Sequence, residues 1–244
     1  MGIYVYAIGR DGDDALPALE GIMGQPVYRL ASGALAAIVS DCPLASVRAE
    51  RKHIAASQRV LSSLGQPFDL LPMAFGTVAQ SADELSRFLD EHGEVLAAQL
   101  QHIAGTVEMS VRLSLDVPDA IAYLVQATPE LKGARDRLFG RRRPPSHDER
   151  LRLGLLFDEA LRAYREAQTA RILTVLAASC AEIRTLPVGP EKEIAHLAVL
   201  VPRDGAECFE AAVNDLAAQL PDELAFTIGG PWPPHNFVHL ESWR

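Results

Sequence analysis

Residues 106–115 alternate without a break: Val107, Met109, Val111, Leu113 and Leu115 fall on one side, and Thr106, Glu108, Ser110, Arg112 and Ser114 on the other. Successive side chains of a strand point to opposite faces, so this pattern demands a sheet with one apolar face covered and one wetted. That apolar face has to be buried against another layer, and the neighbouring sequence offers helices for it. Residues 81–103 open with Ser81 and Glu84, a capping-box signature, and carry Leu85, Phe88, Leu89, Leu96, Leu100 and Ile103 at helical spacing. Residues 46–64 set Ile54, Val60, Leu61 and Leu64 on one helical face, and Gly65 with Pro67 stops that helix. The expected class is α+β.

The remaining elements fill out two halves. Residues 3–8 are β-branched and aromatic and enter the fold as a strand; 34–39 form a second, with a weaker one at 27–30 and a short buried one at 70–78. After a short helix near 118–126, a long helix over 148–179 places Leu153, Phe157, Leu161, Tyr164, Ile172 and Leu176 on one face. Strands at 181–186 and 194–201, a helix at 206–219 and a strand at 224–228 follow. The order α-β-β-α-β is most of a ferredoxin-like unit, and the first half, β-β-β-α-β-α-β, is expected to elaborate the same plan, although no internal sequence repeat marks a duplication. Between the halves lies an Arg-rich stretch broken by Gly133, Gly140, Pro144 and Pro145. The expected organisation is an N-terminal modified ferredoxin-like domain over 1–131, an Arg/Pro-rich linker over 132–149, and a C-terminal ferredoxin-like α/β domain with a long helix over 150–244. A length of 244 residues suits two modest domains of this kind.

Charge and motif content narrow the function. Acidic residues outnumber basic ones 32 to 23, for a formal charge of −9, which counts against nucleic acid as the main partner. The run Arg141, Arg142 and Arg143, with Arg135, Arg137, Arg150 and Arg152 nearby, is expected to be solvated and paired with Asp136, Asp148 and Glu149. Its rival reading is a docking patch for an acidic partner or RNA, but no aromatic interleaving supports base stacking. Cys42, Cys180 and Cys208 are far apart and without CxxC spacing, as expected of buried free thiols in a reducing cytosol. The opening residues lack the basic and apolar regions of a secretory signal, and no stretch is long and apolar enough to cross a bilayer. The histidines show no metal-ligand spacing, and GxGxxG, P-loop and GxSxG patterns are all missing. No catalytic residue, cofactor or metal ligand is expected.

Two segments are unusual. Gly229-Gly230-Pro231-Trp232-Pro233-Pro234-His235-Asn236-Phe237-Val238 has proline at three of the four positions 231–234, which restricts the backbone to extended geometry. It is either an exposed PxxP ligand or, as expected here, a rigid turn that buries Trp232 and pins the tail to the core. The second segment is Leu71-Pro72-Met73-Ala74-Phe75-Gly76-Thr77-Val78.

With these segments the chain resembles the GvpL/GvpF family of gas vesicle proteins. Residues 229–238 are similar to that family's GPWPPYxFV ending, and residues 71–78 to its LPxRFGTV segment. Tyr4-Val5-Tyr6-Ala7-Ile8 matches its first strand, and His53 stands where the family often carries a histidine. The departures are Ala74, where the family commonly has arginine, and His235, which replaces tyrosine. His53, Leu71, Pro72, Phe75, Gly76, Gly230, Pro231, Trp232, Pro233, Pro234 and Phe237 are thus family-motif positions, with structural or interaction roles. The resemblance implies a non-enzymatic accessory or minor structural protein of the gas vesicle, in the cytoplasm and at the vesicle. It implies binding to the small hydrophobic shell protein (GvpA) and other vesicle proteins, assisting nucleation and assembly, with no nucleic-acid or membrane partner and no cofactor. The alternative is a ligand-binding or enzymatic ferredoxin-like protein whose pocket no motif reveals.

Overall fold

The strand expected at 3–8 is β1 (Gly2–Arg10) in the computed structural model, which describes residues 2–12, 15–43, 45–65, 67–140 and 143–239. Every residue of β1 but the first and last is buried, so this strand lies inside a sheet covered on both faces. It pairs antiparallel with β3 (Leu35–Cys42) on one side and with β4 (Leu70–Pro72) and β5 (Val78–Ala79) on the other. β2 (Val27–Ser32) hairpins onto β3, giving the order β2-β3-β1-β4. α1 (Arg51–Gly65) packs its Ala56, Val60, Leu61 and Leu64 against Tyr4, Tyr6, Ile38 and Leu70 of the sheet. α2 (Ala82–Glu91) and α3 (Gly93–His102) also lie against these strands.

Two tyrosines of β1 tie this core to its loops. A buried phenol needs a hydrogen-bond partner. Tyr4 Oη donates to Ser57 Oγ of α1 (3.4 Å) and accepts from the Gly76 N–H (3.1 Å). Tyr6 Oη is 2.9 Å from Ser40 Oγ and accepts from the Ile22 N–H at 2.7 Å. Burial pushes both phenols above the ordinary tyrosine value, so each stays neutral. The Tyr6 hydroxyl occupies the space a side chain at Gly21 would take: a Cβ there would stand 2.0 Å from Tyr6 Oη. Gly21→Ala is expected to cost about 1–3 kcal/mol through overpacking, measured as a lowered urea midpoint.

Two elements differ from expectation. The helix expected over 81–103 breaks at His92, whose backbone (φ −107, ψ 10) leaves the helical region while its Nδ1 lies 3.0 Å from Phe88 O. Ser81 does cap it, its hydroxyl accepting from the Glu84 N–H. The strand expected over 70–78 is interrupted by a turn, closed by Thr77 N–H and Oγ1 donating to Ala74 O, with Gly76 at φ +89.

The chain forms two compact units, and they do not divide at 132–149. The first comprises Met1–Met109, Leu200–Ala206 and Gly230–Arg244; the second comprises Ser110–Val199 and Glu207–Gly229. The expected linker is largely helical. β6 (Thr106–Leu115) is followed by α4 (Ala120–Ala127), α5 (Pro129–Phe139) and the long α6 (His147–Leu176), which opens on a capping box formed by Ser146 and Glu149. Arg135 pairs with Asp136 (2.6 Å) and Arg143 with Glu149 (2.8 Å), while Arg141 and Arg142 lie outside the described residues. β7 (Glu182–Thr185), β8 (Glu193–Pro202), α7 (Ala206–Ala217) and β9 (Leu224–Trp232) complete the order. A four-stranded sheet runs β7-β8-β6-β9. The strand at 106–115, expected to close the first domain, therefore sits between strands from the chain's last third. In the second unit Arg165 fastens the loop before β8, donating to the carbonyls of Gly189, Pro190 and Glu193. The cysteines are free, but only Cys42 is buried; Cys208 is exposed, against expectation, because it lies outside the buried face of α7 formed by Phe209, Val213 and Leu216.

Candidate functional site

Residues 71–78 and residues 230–238 of the tail segment belong to the first unit, and both stretches touch α1 or its contacts. Leu71 and Pro72 are buried in β4, where they pair with Ile8 and Ala7 of β1. The following turn presents Phe75, 37% exposed, with its ring edge-on to Tyr4 at 6.2 Å, and brings the Gly76 N–H to the Tyr4 hydroxyl. His53 is buried in the first turn of α1, its Nδ1 3.2 Å from Arg48 O. It is a packed helix-end residue.

The tail is held at the other end of α1. Gly230 has φ +121, and a Cβ there would meet Glu108 O at 2.8 Å and Met109 Sδ at 2.9 Å. The Gly230–Pro231 peptide is cis, and Pro231 is half-buried. Pro233 and Pro234 are buried, with the Pro233 ring seated on Gly65: a Cβ at Gly65 would lie 2.6 Å from Pro233 Cγ. The Asn236 N–H and Nδ2 donate to the two carboxylate oxygens of Glu108, at 2.7 and 2.5 Å. Phe237 enters the core at 2% exposure, and the Gln99 side chain pairs with both backbone groups of His239 at 2.7 Å.

Trp232 corrects the expectation. It is 44% exposed, because Pro233, the next residue, takes the slot over Gly65 and turns the indole outward. Together with Pro233 and His235 it walls a groove of about 520 Å³ whose other side is the solvent face of α1: Ala55, Gln58, Arg59, Ser62 and Ser63. Small side chains leave that face open to contact, and Arg59 gives it positive charge. The His235 ring keeps an exposed face, yet lost solvation holds its pKa below the usual imidazole value, so it adds no charge near neutrality. A groove of this size, with Trp232 and Pro233 as an apolar wall facing the polar side chains of α1, is a binding shape.

Sequence reading missed Glu108 and Asn236. Glu108 belongs to the polar side of the 106–115 alternation but is 4% exposed, a buried carboxylate satisfied by the tail. The only available signal was Asn236 itself, a hydrogen-bonding residue inside an otherwise apolar and proline-rich segment. A second cavity, about 560 Å³, is lined by Arg10, Ser32 and Asp90, but these are engaged: Ser32 Oγ donates to Asp90 (2.8 Å) and Arg10 to Gln101 (3.0 Å). Among the described residues no cluster of His, Cys, Asp or Glu is placed to hold a metal ion, and no helix is long and apolar enough to cross a membrane.

A mixed α/β protein with antiparallel sheets of this design is found among solved gas vesicle proteins. The chain superposes on the crystal structure of GvpF from Microcystis aeruginosa with a TM-score of 0.83 at 20% identity, covering 98% of this chain and 99% of that one. For GvpF from Anabaena sp. PCC7120 the TM-score is 0.82 at 21% identity, covering 99% and 97%. The family described as gas vesicle synthesis protein GvpL/GvpF matches residues 2–239, and this chain belongs to it. It is 33% identical to gas vesicle protein F of Streptomyces sp. (strain CB03234), over 98% of this chain and 100% of that protein. It is also 21% identical to gas vesicle protein L1 of Halobacterium salinarum, over 97% and 90%.

Proposed function

We propose that this chain is an accessory protein of gas vesicle assembly, non-enzymatic and working at the vesicle, that docks the small hydrophobic shell protein GvpA in the groove between α1 and Trp232. The observation that carries the reading is a large indole left in solvent on a segment whose neighbours are rigidly seated. Folding alone favours burying tryptophan, and exposed aromatic anchors on preorganised backbone are what partner helices bind. Phe75, at the other motif, is a second exposed aromatic on the same unit. An amphipathic client helix laid in a groove is a familiar recognition mode, and Arg59 favours a client with acidic flanks. The two-domain ferredoxin-like plan is part of the same reading: β6-α-β7-β8-α7-β9, with strands ordered β7-β8-β6-β9, supports it for the second unit.

The test is a pull-down of the shell protein with wild type and Trp232→Ala. Loss of an aromatic hot spot costs about 2 kcal/mol or more, roughly 30-fold in affinity. The variant is expected to lose most binding and, in cells, to make fewer vesicles at an unchanged level of shell protein. Undiminished capture by the variant would place the shell-protein contact elsewhere.

A further inference from the structure

The N-terminal half of α6 keeps leucines in water. Each of residues 147–160 is exposed or half-buried, and Leu151 and Leu155 are 56% and 60% exposed. α6 rests on α4 and α5, with Leu153, Phe157 and Leu161 on its more buried side. Leu151 and Leu155, one helical turn apart, lie on the opposite side, where Asp148, Arg152, Asp158, Glu159 and Arg162 are exposed too. Apolar side chains facing away from the helix's own support contribute nothing to folding and mark a contact surface.

We propose that this face pairs antiparallel with the same face of a second copy of the chain, about a two-fold axis at Leu155. The charge pattern selects this occupant and this register. A two-fold contact is self-complementary, so positions equidistant from the axis residue meet each other. Asp148 and Arg162 are equidistant from Leu155 and meet across the contact. Arg152, three residues from Leu155, and Glu159 of the second copy, four residues from it on the same flank, come nearly level, and each pair forms twice. Sliding by one turn, so that Leu151 meets Leu155, would set Asp148 beside Asp158 and Glu159 of the other copy, which like-charge repulsion penalises. Among the described residues Asp148, Arg152, Glu159 and Arg162 make no ion pair within the chain, so their charges remain available. Gly154 adds no side chain next to the axis, and a Cβ there would meet nothing within 4 Å, so the second helix can approach.

Sedimentation velocity of the full chain over a range of concentrations tests the pairing. A concentration-dependent dimer is expected. Leu155→Glu, which sets two like charges on the axis at an exposed position, is expected to give a folded monomer. Arg152→Glu is expected to weaken the dimer about tenfold or more, and Arg152→Glu with Glu159→Arg to restore it, because the swapped charges meet again. A chain that stays monomeric at every concentration overturns the proposal. So does a dimer indifferent to Leu155→Glu, or a double swap that fails to restore what Arg152→Glu removed. Loss of shell-protein capture by Leu155→Glu from a monomeric wild type would assign the face to the shell protein instead. Neither result bears on Trp232, whose variant is read separately.

Discussion

Phe237→Ala is expected to destabilise the protein by about 3–5 kcal/mol, while Trp232→Ala shifts stability by only about 1 kcal/mol. The two aromatics lie five positions apart in one segment, and composition does not separate them. Burial does: Phe237 is 2% exposed and Trp232 44%. Truncating Phe237 loses the transfer free energy of a whole ring and leaves a cavity that surrounding side chains only partly refill. It also loosens the neighbouring Asn236, and with it the partner of a buried carboxylate. Truncating Trp232 removes a ring that already keeps much of its surface in water, and the Pro233 seat on Gly65 remains. Urea unfolding of both variants beside the pull-down makes the comparison. The expected pattern is crossed: one variant is destabilised, and the other is stable but deficient in binding. Equal losses of stability would mean that the indole is a structural clasp after all.

That crossing also shows what the sequence conveyed and what it withheld. Proline at 231, 233 and 234 marked a segment of restricted backbone, and the bulk of Trp232 suggested what it buries. Hydrophobicity states a preference for leaving water, however, and not which residue of a strap faces inward. Pro233 wins the inward slot because Gly65, far earlier in the chain, leaves room for a ring of its size. Glu108 is a similar case. Its alternation identified a strand correctly, but its burial depends on Asn236 returning to it over 128 positions, a contact no local period records. The same limit displaced the domain boundary. Periodicity at 106–115 announced a strand without saying which sheet it joins, and its neighbours β8 and β9 come from the chain's last third. Local signals fared better where local physics dominates. The long helix expected over 148–179 is α6 with a 3-10 turn at its end, and Leu161, Ile172 and Leu176 of the expected face are buried. What the periodicity of α6 left unassigned, Leu151 and Leu155, is what the fold leaves uncovered.

Gly230→Ala is expected to cost roughly 3 kcal/mol and to release the tail. Two independent penalties meet at this position. The backbone at φ +121 lies in a region that is essentially glycine's alone, and holding an L side chain in such a region costs about 1–3 kcal/mol. The new methyl would also stand 2.8 Å from Glu108 O and 2.9 Å from Met109 Sδ. Met109 is buried and its thioether can shift, but a backbone carbonyl in β6 cannot retreat without bending the strand. Relieving the clash by moving the tail outward would draw Asn236 off Glu108 and Phe237 out of the core. Loss of the fastening should then appear as faster proteolysis and faster amide exchange at residues 230–239 than in wild type, beside the lowered urea midpoint. The rest of the first unit, centred on Tyr4, Tyr6 and α1, should keep its protection. A Gly230→Ala protein with wild-type stability and a protected tail would show that β6 yields at Glu108, and that the tail is held by its downstream contacts alone.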